Sequence, residues 1–92
     1  MIISYRHKGL ELYATKGDRS KLQQNHVSRI RLILTRLDAA ELPEHMNEPG
    51  YYFHALKGDM QGYYSVRVSG NWRITFCFDG KNAADVNYQD YH

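Results

Sequence analysis

The sequence predicts an α+β domain in which two N-terminal helices pack on one face of a β-sheet. Three observations carry that prediction. Up to about residue 40, apolar residues recur at steps of three and four; after about residue 50 they alternate at steps of two. Glycine-bearing turns at Gly58, Gly70 and Gly80 cut the second half into short strands. The resulting order is strand, helix, helix, then about four strands. Adjacent helices followed by a meander cover one side of a sheet and leave the other side partly polar or available for binding.

Residues 1–6 read as a short opening strand. Lys8 to Thr15 makes two helical turns, with Leu10, Tyr13 and Ala14 at helical spacing, and Gly17-Asp18 ends them. The clearest helix spans 24–40, where Val27, Ile30, Leu34 and Leu37 form an apolar stripe widened by Ile33. Leu42-Pro43 stops it, because a residue before proline is driven out of helical geometry. The stretch on to Pro49-Gly50 reads as a loop and suggests no task beyond connection. Tyr51 to Leu56 is a candidate strand, followed by a turn at Lys57-Gly58-Asp59. Tyr64, Val66 and Val68 alternate with Ser65, Arg67 and Ser69, and Ser69-Gly70-Asn71 is a tight hairpin connection. Trp72, Ile74, Phe76 and Phe78 alternate with Arg73, Thr75 and Cys77. After a turn at Asp79-Gly80-Lys81, Ala83 to Tyr91 makes the last strand. Arg67 and Arg73 flank one hairpin on the side opposite its aliphatic row.

The 92 residues fit one domain, 1–92, and 42% of them are hydrophobic, too many for a disordered chain. The lone cysteine, Cys77, excludes an internal disulfide and a cysteine-only zinc site, and reads as a small core residue. No spacing among the five histidines makes a metal motif. The N-terminus lacks the apolar run of a secretory signal, and nothing approaches membrane-spanning length, so the cytoplasm is the expected location. Net charge is +2 but uneven. Residues 1–37 set eight Lys and Arg against Glu11 and Asp18, a net +6. Residues 38–50 hold four acids and no Lys or Arg. The first half is therefore either a surface for a polyanion or an ordinary solvated helix face.

The chain ends on Asp90-Tyr91-His92. Alternation places Asp90 and His92 on one side of a strand, where a carboxylate favours the charged form of an imidazole and orients it. His54, Lys57, Arg67 and Arg73 lie on or beside the same sheet. Cleaving RNA through its own ribose requires a base for the 2′-hydroxyl, an acid for the leaving 5′-oxygen and cations around the phosphate. Histidine suits the first two roles, and lysine and arginine suit the third. Tyrosine can stack on a base.

The joined runs His54-Ala-Leu-Lys57-Gly58-Asp59, Gly62-Tyr-Tyr-Ser65-Val-Arg67-Val, Asn71-Trp72-Arg73-Ile-Thr-Phe76 and Asp85-Val-Asn-Tyr-Gln-Asp90-Tyr91-His92 closely resemble the HigB toxins of the RelE/ParE toxin superfamily. The Lys8-Gly9-Leu10 start also fits, so the resemblance covers essentially the whole chain. It implies a microbial RNase-like (RelE-like) fold with a curved mixed sheet. It implies a ribosome-dependent endoribonuclease that cuts messenger RNA in the A site of the 70S ribosome, without a required metal or other cofactor. It implies a helix-turn-helix antitoxin of the HigA type, with operator DNA bound only through the complex, and no membrane partner. By the same resemblance His54, Asp90, Tyr91 and His92 occupy catalytic positions, while Lys57 and Arg73 match phosphate-contacting ones. Arg67 contacts RNA or supports the sheet. The chain departs from many relatives at Asn87-Tyr88-Gln89, where they carry a more aliphatic run, and at Tyr64. Two alternatives stay open: a toxin of this fold that inhibits DNA gyrase, and a non-catalytic RNA-binding protein.

Overall fold

The computed structural model describes residues 1–90, so the expectations placed on Tyr91 and His92 lie outside the described residues. Helix α1 spans Lys8–Lys16 and helix α2 spans Val27–Ala39. Strands β1 (His54–Ala55), β2 (Tyr64–Ser69), β3 (Trp72–Asp79) and β4 (Asn82–Asp90) form an antiparallel meander in the order β1-β2-β3-β4. The N-terminal segment runs parallel to β4 along its outer edge, through bridges from Ile2 to Ala83 and from Tyr5 to Val86. The sheet is thus mixed, as the resemblance implies.

Both helices form where the periodicity predicts them, and their ends have clear causes. The His7 side chain caps α1 by accepting the Leu10 amide proton at 3.2 Å. Gly17 closes it in the left-handed region at φ 71°, which glycine adopts without steric cost. Gly9 has a different reason. A Cβ there would sit 2.8 Å from both His7 Cε1 and Lys21 Cβ, so the first turn of α1 can pack this closely only without a side chain. The long helix is shorter than its 24–40 pattern, because Gln24–His26 is a 3-10 turn that leads into it. Val27, Ile30, Ile33, Leu34 and Leu37 are all buried. They pack with Val66, Val68, Ile74, Phe76, Val86 and Tyr88 from the sheet in one cluster.

Three expectations need correction. Residues 1–6 make two separate bridges rather than a strand, because the bulge in β4 falls between their partners. Only His54 and Ala55 of the 51–56 segment pair as a strand, since Tyr52 turns the chain into the left-handed region at φ 49°. Cys77 is not a core residue. Strand alternation puts it on the side away from Ile74 and Phe76, half-buried, with its thiol 3.6 Å from the Ala84 carbonyl oxygen.

The acidic stretch 38–50 does more than connect. Asp38 accepts the Ile2 amide proton at 2.9 Å, and Glu48 pairs with Arg36 at 2.9 Å. Pro43–Met46 forms a 3-10 turn that buries Met46.

β4 carries the most constrained residue of the fold. Cys77 pairs with Ala84 and Thr75 with Asn87, so Phe76 alone faces both Asp85 and Val86. This is a β-bulge, with Asp85 at φ 54°. The Asp85 carboxylate accepts from Arg6 Nη2 at 2.8 Å, Arg6 Nε at 3.3 Å and the Tyr63 hydroxyl at 2.6 Å. Its amide donates to Ser4 Oγ at 2.8 Å. Donation to this carboxylate holds the Tyr63 hydroxyl on its proton, pushing its pKa up to about 12.

Two predictions follow from these contacts. Tyr63→Phe and Asp85→Asn are expected to be non-additive, with a coupling of about 1–2 kcal/mol in urea unfolding; additive losses would show that the short bond contributes nothing. The second concerns pH. Burial holds the His7 imidazole below its ordinary 6.5. Between that lowered value and 6.5 the unfolded chain binds more protons than the folded one. Stability is therefore full above 6.5 and falls as pH drops below it. His7→Asn keeps a capping side chain that does not titrate, so unfolding measured from about pH 7.5 to 5 should show a shallower fall than in the parent.

Candidate active site on the open face of the sheet

The strand register divides the sheet into two faces. Val66, Ile74 and Tyr88 stand in one cross-strand row toward the helices. On the opposite face His54, Ser65, Thr75 and Asn87 form one row, and Arg67, Arg73 and Gln89 form the next. No helix covers these rows, since α1 and α2 both lie on the other side. Ser65 and Thr75 are small and fully buried between larger neighbours on this face.

Arg67 and Arg73 are direct cross-strand partners. Like charges placed opposite one another destabilise a sheet unless each finds other interactions. Arg67 finds one: its guanidinium carbon lies 5.1 Å from the centre of the Tyr52 ring. Arg73 does not. Its Nε and Nη1 are buried and have no hydrogen-bond partner among the described residues. An arginine always carries its charge, and burying guanidinium protons without acceptors is costly. This face therefore offers unsatisfied donors that suit an anion with several oxygens.

His54 lies at the end of the first row, exposed to solvent on β1. Its Nδ1 is 3.3 Å from the Tyr52 carbonyl oxygen. When Nδ1 carries the proton it donates to that oxygen, and Nε2 is left as an acceptor, the state a general base needs.

The other sequence-predicted residues are placed differently. Lys57 lies outside both rows. It is exposed beyond β1, before the 3-10 turn Gly58–Met60, on a groove it shares with Gln61, Gly62 and Tyr64. Asp90 ends β4 opposite Trp72, so alternation puts it on the same face as Tyr88 and not with Arg67 and Arg73. Its side of the sheet holds the ring cluster of His26, Trp72 and Tyr88, in which His26 Nδ1 meets the Tyr88 hydroxyl at 2.7 Å. The structure thus brings together His54, Arg67 and Arg73, and leaves Lys57 and Asp90 on its margins.

Sequence reasoning missed Tyr52 and Arg29. Tyr52 reads as one more strand aromatic, and only its left-handed backbone turns the ring out. Arg29 reads as part of a basic helix face. In the structure it donates to the carbonyls of Gly50 at 2.7 Å and of Arg67 at 3.2 Å, and it lies 4.6 Å from the centre of the Tyr51 ring. Nothing in a single helix pattern distinguishes such an arginine from a solvated one.

Comparison with known proteins places this arrangement. A family model described as the RelE-like toxin of the type II toxin-antitoxin system HigB matches residues 3–92. The chain is similar to the endoribonuclease HigB of Proteus vulgaris, at 45% identity over the full length of both chains. Among solved structures it resembles YoeB from Staphylococcus aureus, a dimer, with a TM-score of 0.61 and 22% identity over 100% of this chain and 97% of that one. It also resembles YafQ from E. coli, with a TM-score of 0.57 and 16% identity over 98% and 93%. These likenesses fix the fold. No helix among the described residues is long and apolar enough to cross a membrane. With the family model spanning nearly every residue and a full-length relative at this identity, the chain belongs to the HigB-like family of RelE-like toxins of type II toxin-antitoxin systems.

Proposed function

We propose that this protein is an endoribonuclease that cuts messenger RNA in the A site of the ribosome by attack of the ribose 2′-hydroxyl. The observation that carries the proposal is the pair of buried Arg73 guanidinium nitrogens, Nε and Nη1, that have no partner among the described residues, on the open face with Arg67 opposite and His54 in the adjoining row. A phosphodiester supplies the acceptor oxygens that Arg73 lacks. The full-length relative from Proteus vulgaris is named for endoribonuclease activity, which supports the same reading.

In this scheme the 2′-oxygen bonds to phosphorus as the bond from phosphorus to the 5′-oxygen breaks. The products are a 2′,3′-cyclic phosphate and a 5′-hydroxyl. His54 or His92 takes the 2′-hydroxyl proton, and the other donates a proton to the leaving oxygen or orients the first. Asp90 orients His92 or contacts the substrate, and Tyr91 holds the nucleotide. Arg73, helped by Lys57, stabilises charge on the phosphate, where donors fixed in advance act most strongly. The scheme needs only imidazole, guanidinium, ammonium and carboxylate groups. The protein acts in the cytoplasm as one domain over 1–92. It is neutralised by a helix-turn-helix antitoxin of the HigA type and reaches operator DNA only through that complex. A gyrase-inhibiting toxin of the same fold would give His54 no proton to move.

The test is cleavage of a message held in a stalled ribosome. His54→Ala and His92→Ala are each expected to lower kcat by about 10²–10⁴-fold. Arg73→Ala should lower it by about 10²–10³-fold, and Arg73→Lys should not restore it, because an ammonium lacks the planar fork. Full activity in both histidine variants would overturn the catalytic assignment. Equal cutting of naked RNA would overturn ribosome dependence, and cutting of a message with deoxyribose before the scissile phosphate would overturn the 2′-hydroxyl mechanism.

A further inference from the structure

We infer that Tyr52, with Arg67 laid against it, is a stacking platform for an unpaired RNA base beside the cleavage site, an inference that rests on the ribonuclease reading above. Tyr52 holds a backbone conformation that side chains rarely adopt, φ 49°, yet 62% of its surface is exposed. Such strain is ordinarily offset by packing, and this ring is not packed into the core. Its neighbour Tyr51 is buried, so the turn at Tyr52 sets one ring in the core and the next one outside it.

The exposure does not come from a loose loop. Three successive carbonyls are held: Gly50 accepts from Arg29 at 2.7 Å, Tyr51 accepts from the Arg67 amide at 2.7 Å, and Tyr52 faces His54 Nδ1 at 3.3 Å. The backbone is fixed on both sides of a ring that is turned outward. Arg67 lies 5.1 Å from the ring centre, which limits the ring's freedom and adds positive charge beside it.

The position decides what the platform takes. The Tyr52 carbonyl oxygen lies 3.3 Å from His54 Nδ1, and the ring contacts the cross-strand partner of Arg73. An aromatic face against Arg67, whose cross-strand partner Arg73 has two buried donors without a partner among the described residues, matches the two features single-stranded RNA offers side by side, a base and a phosphate. Stacking tolerates any base, so the platform adds affinity and orientation more than sequence readout.

The experiment compares Tyr52→Phe, Tyr52→Ala and Tyr52→Gly on a ribosome-bound message. Glycine adopts the positive φ without strain, which separates the ring from the backbone turn. Both Tyr52→Ala and Tyr52→Gly are expected to raise KM about tenfold, with a smaller change in kcat, and Tyr52→Phe to restore KM. Parent KM in a folded Tyr52→Gly protein would overturn the inference. So would unchanged KM with weakened antitoxin binding, which would assign the ring to a protein interface. If the parent cuts no message, the ribonuclease reading fails by itself. Binding of a fluorescent oligoribonucleotide then decides the platform: loss on Tyr52→Gly supports it, and equal binding or none overturns it.

Discussion

The bulge at Asp85 decides which side chains of β4 meet the core and which meet the open face. Before it, Ala84 lies opposite Cys77; after it, Asn87 lies opposite Thr75. A continuous ladder would have placed Val86 opposite Thr75 and Tyr88 opposite Arg73, so the extra residue flips the rest of the strand. With the flip, Val86 and Tyr88 enter the core, and Asn87 and Gln89 join the arginine face. Asp85 holds this position because its carboxylate has partners on two other segments. Arg6 comes from the parallel N-terminal segment, and Tyr63 comes from the loop before β2. The Arg6 pair is half-exposed and contributes modestly to stability. Its greater importance is geometric, since it joins the N-terminal segment to β4 at the point where the β3–β4 register changes.

The two faces of the sheet meet opposite physical demands. The helix face is mainly apolar, and its buried His26 and Tyr88 satisfy one another. The open face carries two arginines in a cross-strand pair, and among the described residues two buried donors of Arg73 and Ser65 Oγ have no partner. A fold selected for stability alone would replace Arg73 or supply it with an acceptor. Local cost concentrated on one face, beside a residue in left-handed geometry, is the pattern expected where binding has to complete the structure.

The helices, the β2–β3 hairpin and the final strand were legible because each follows a strong period. Val27, Ile30, Leu34 and Leu37 declare a helix, and Trp72, Ile74, Phe76 and Phe78 declare a strand. The side shared by Arg67 and Arg73 was legible from alternation, while their direct pairing needed the turn register. The placement of Asp90 was not legible, because the bulge that governs it is set by tertiary bonds from Arg6, Tyr63 and Ser4. The 51–56 segment misled for a similar reason. Its composition favours a strand, but Arg29 and the Arg67 amide hold the carbonyls before Tyr52 and bend the chain there. Periodicity reports which face a residue prefers; it does not report contacts between residues far apart in the chain.

Charge shows the same division between pattern and contact. The basic excess of the first half suggests a broad surface for a polyanion, but much of it is used internally. Arg6 pairs with Asp85, Lys8 with Glu11 and Arg36 with Glu48, while Arg29 serves two carbonyls. The cation best placed to need an anion is instead Arg73, in a region where acids and bases balance. With a net charge of only +2, the chain has little long-range pull on RNA. Recognition then depends on a few groups fixed in place, and such a site gains most from a substrate that is already held. On the ribonuclease reading proposed above, that is a physical reason to expect action on RNA presented by a larger assembly rather than capture from solution.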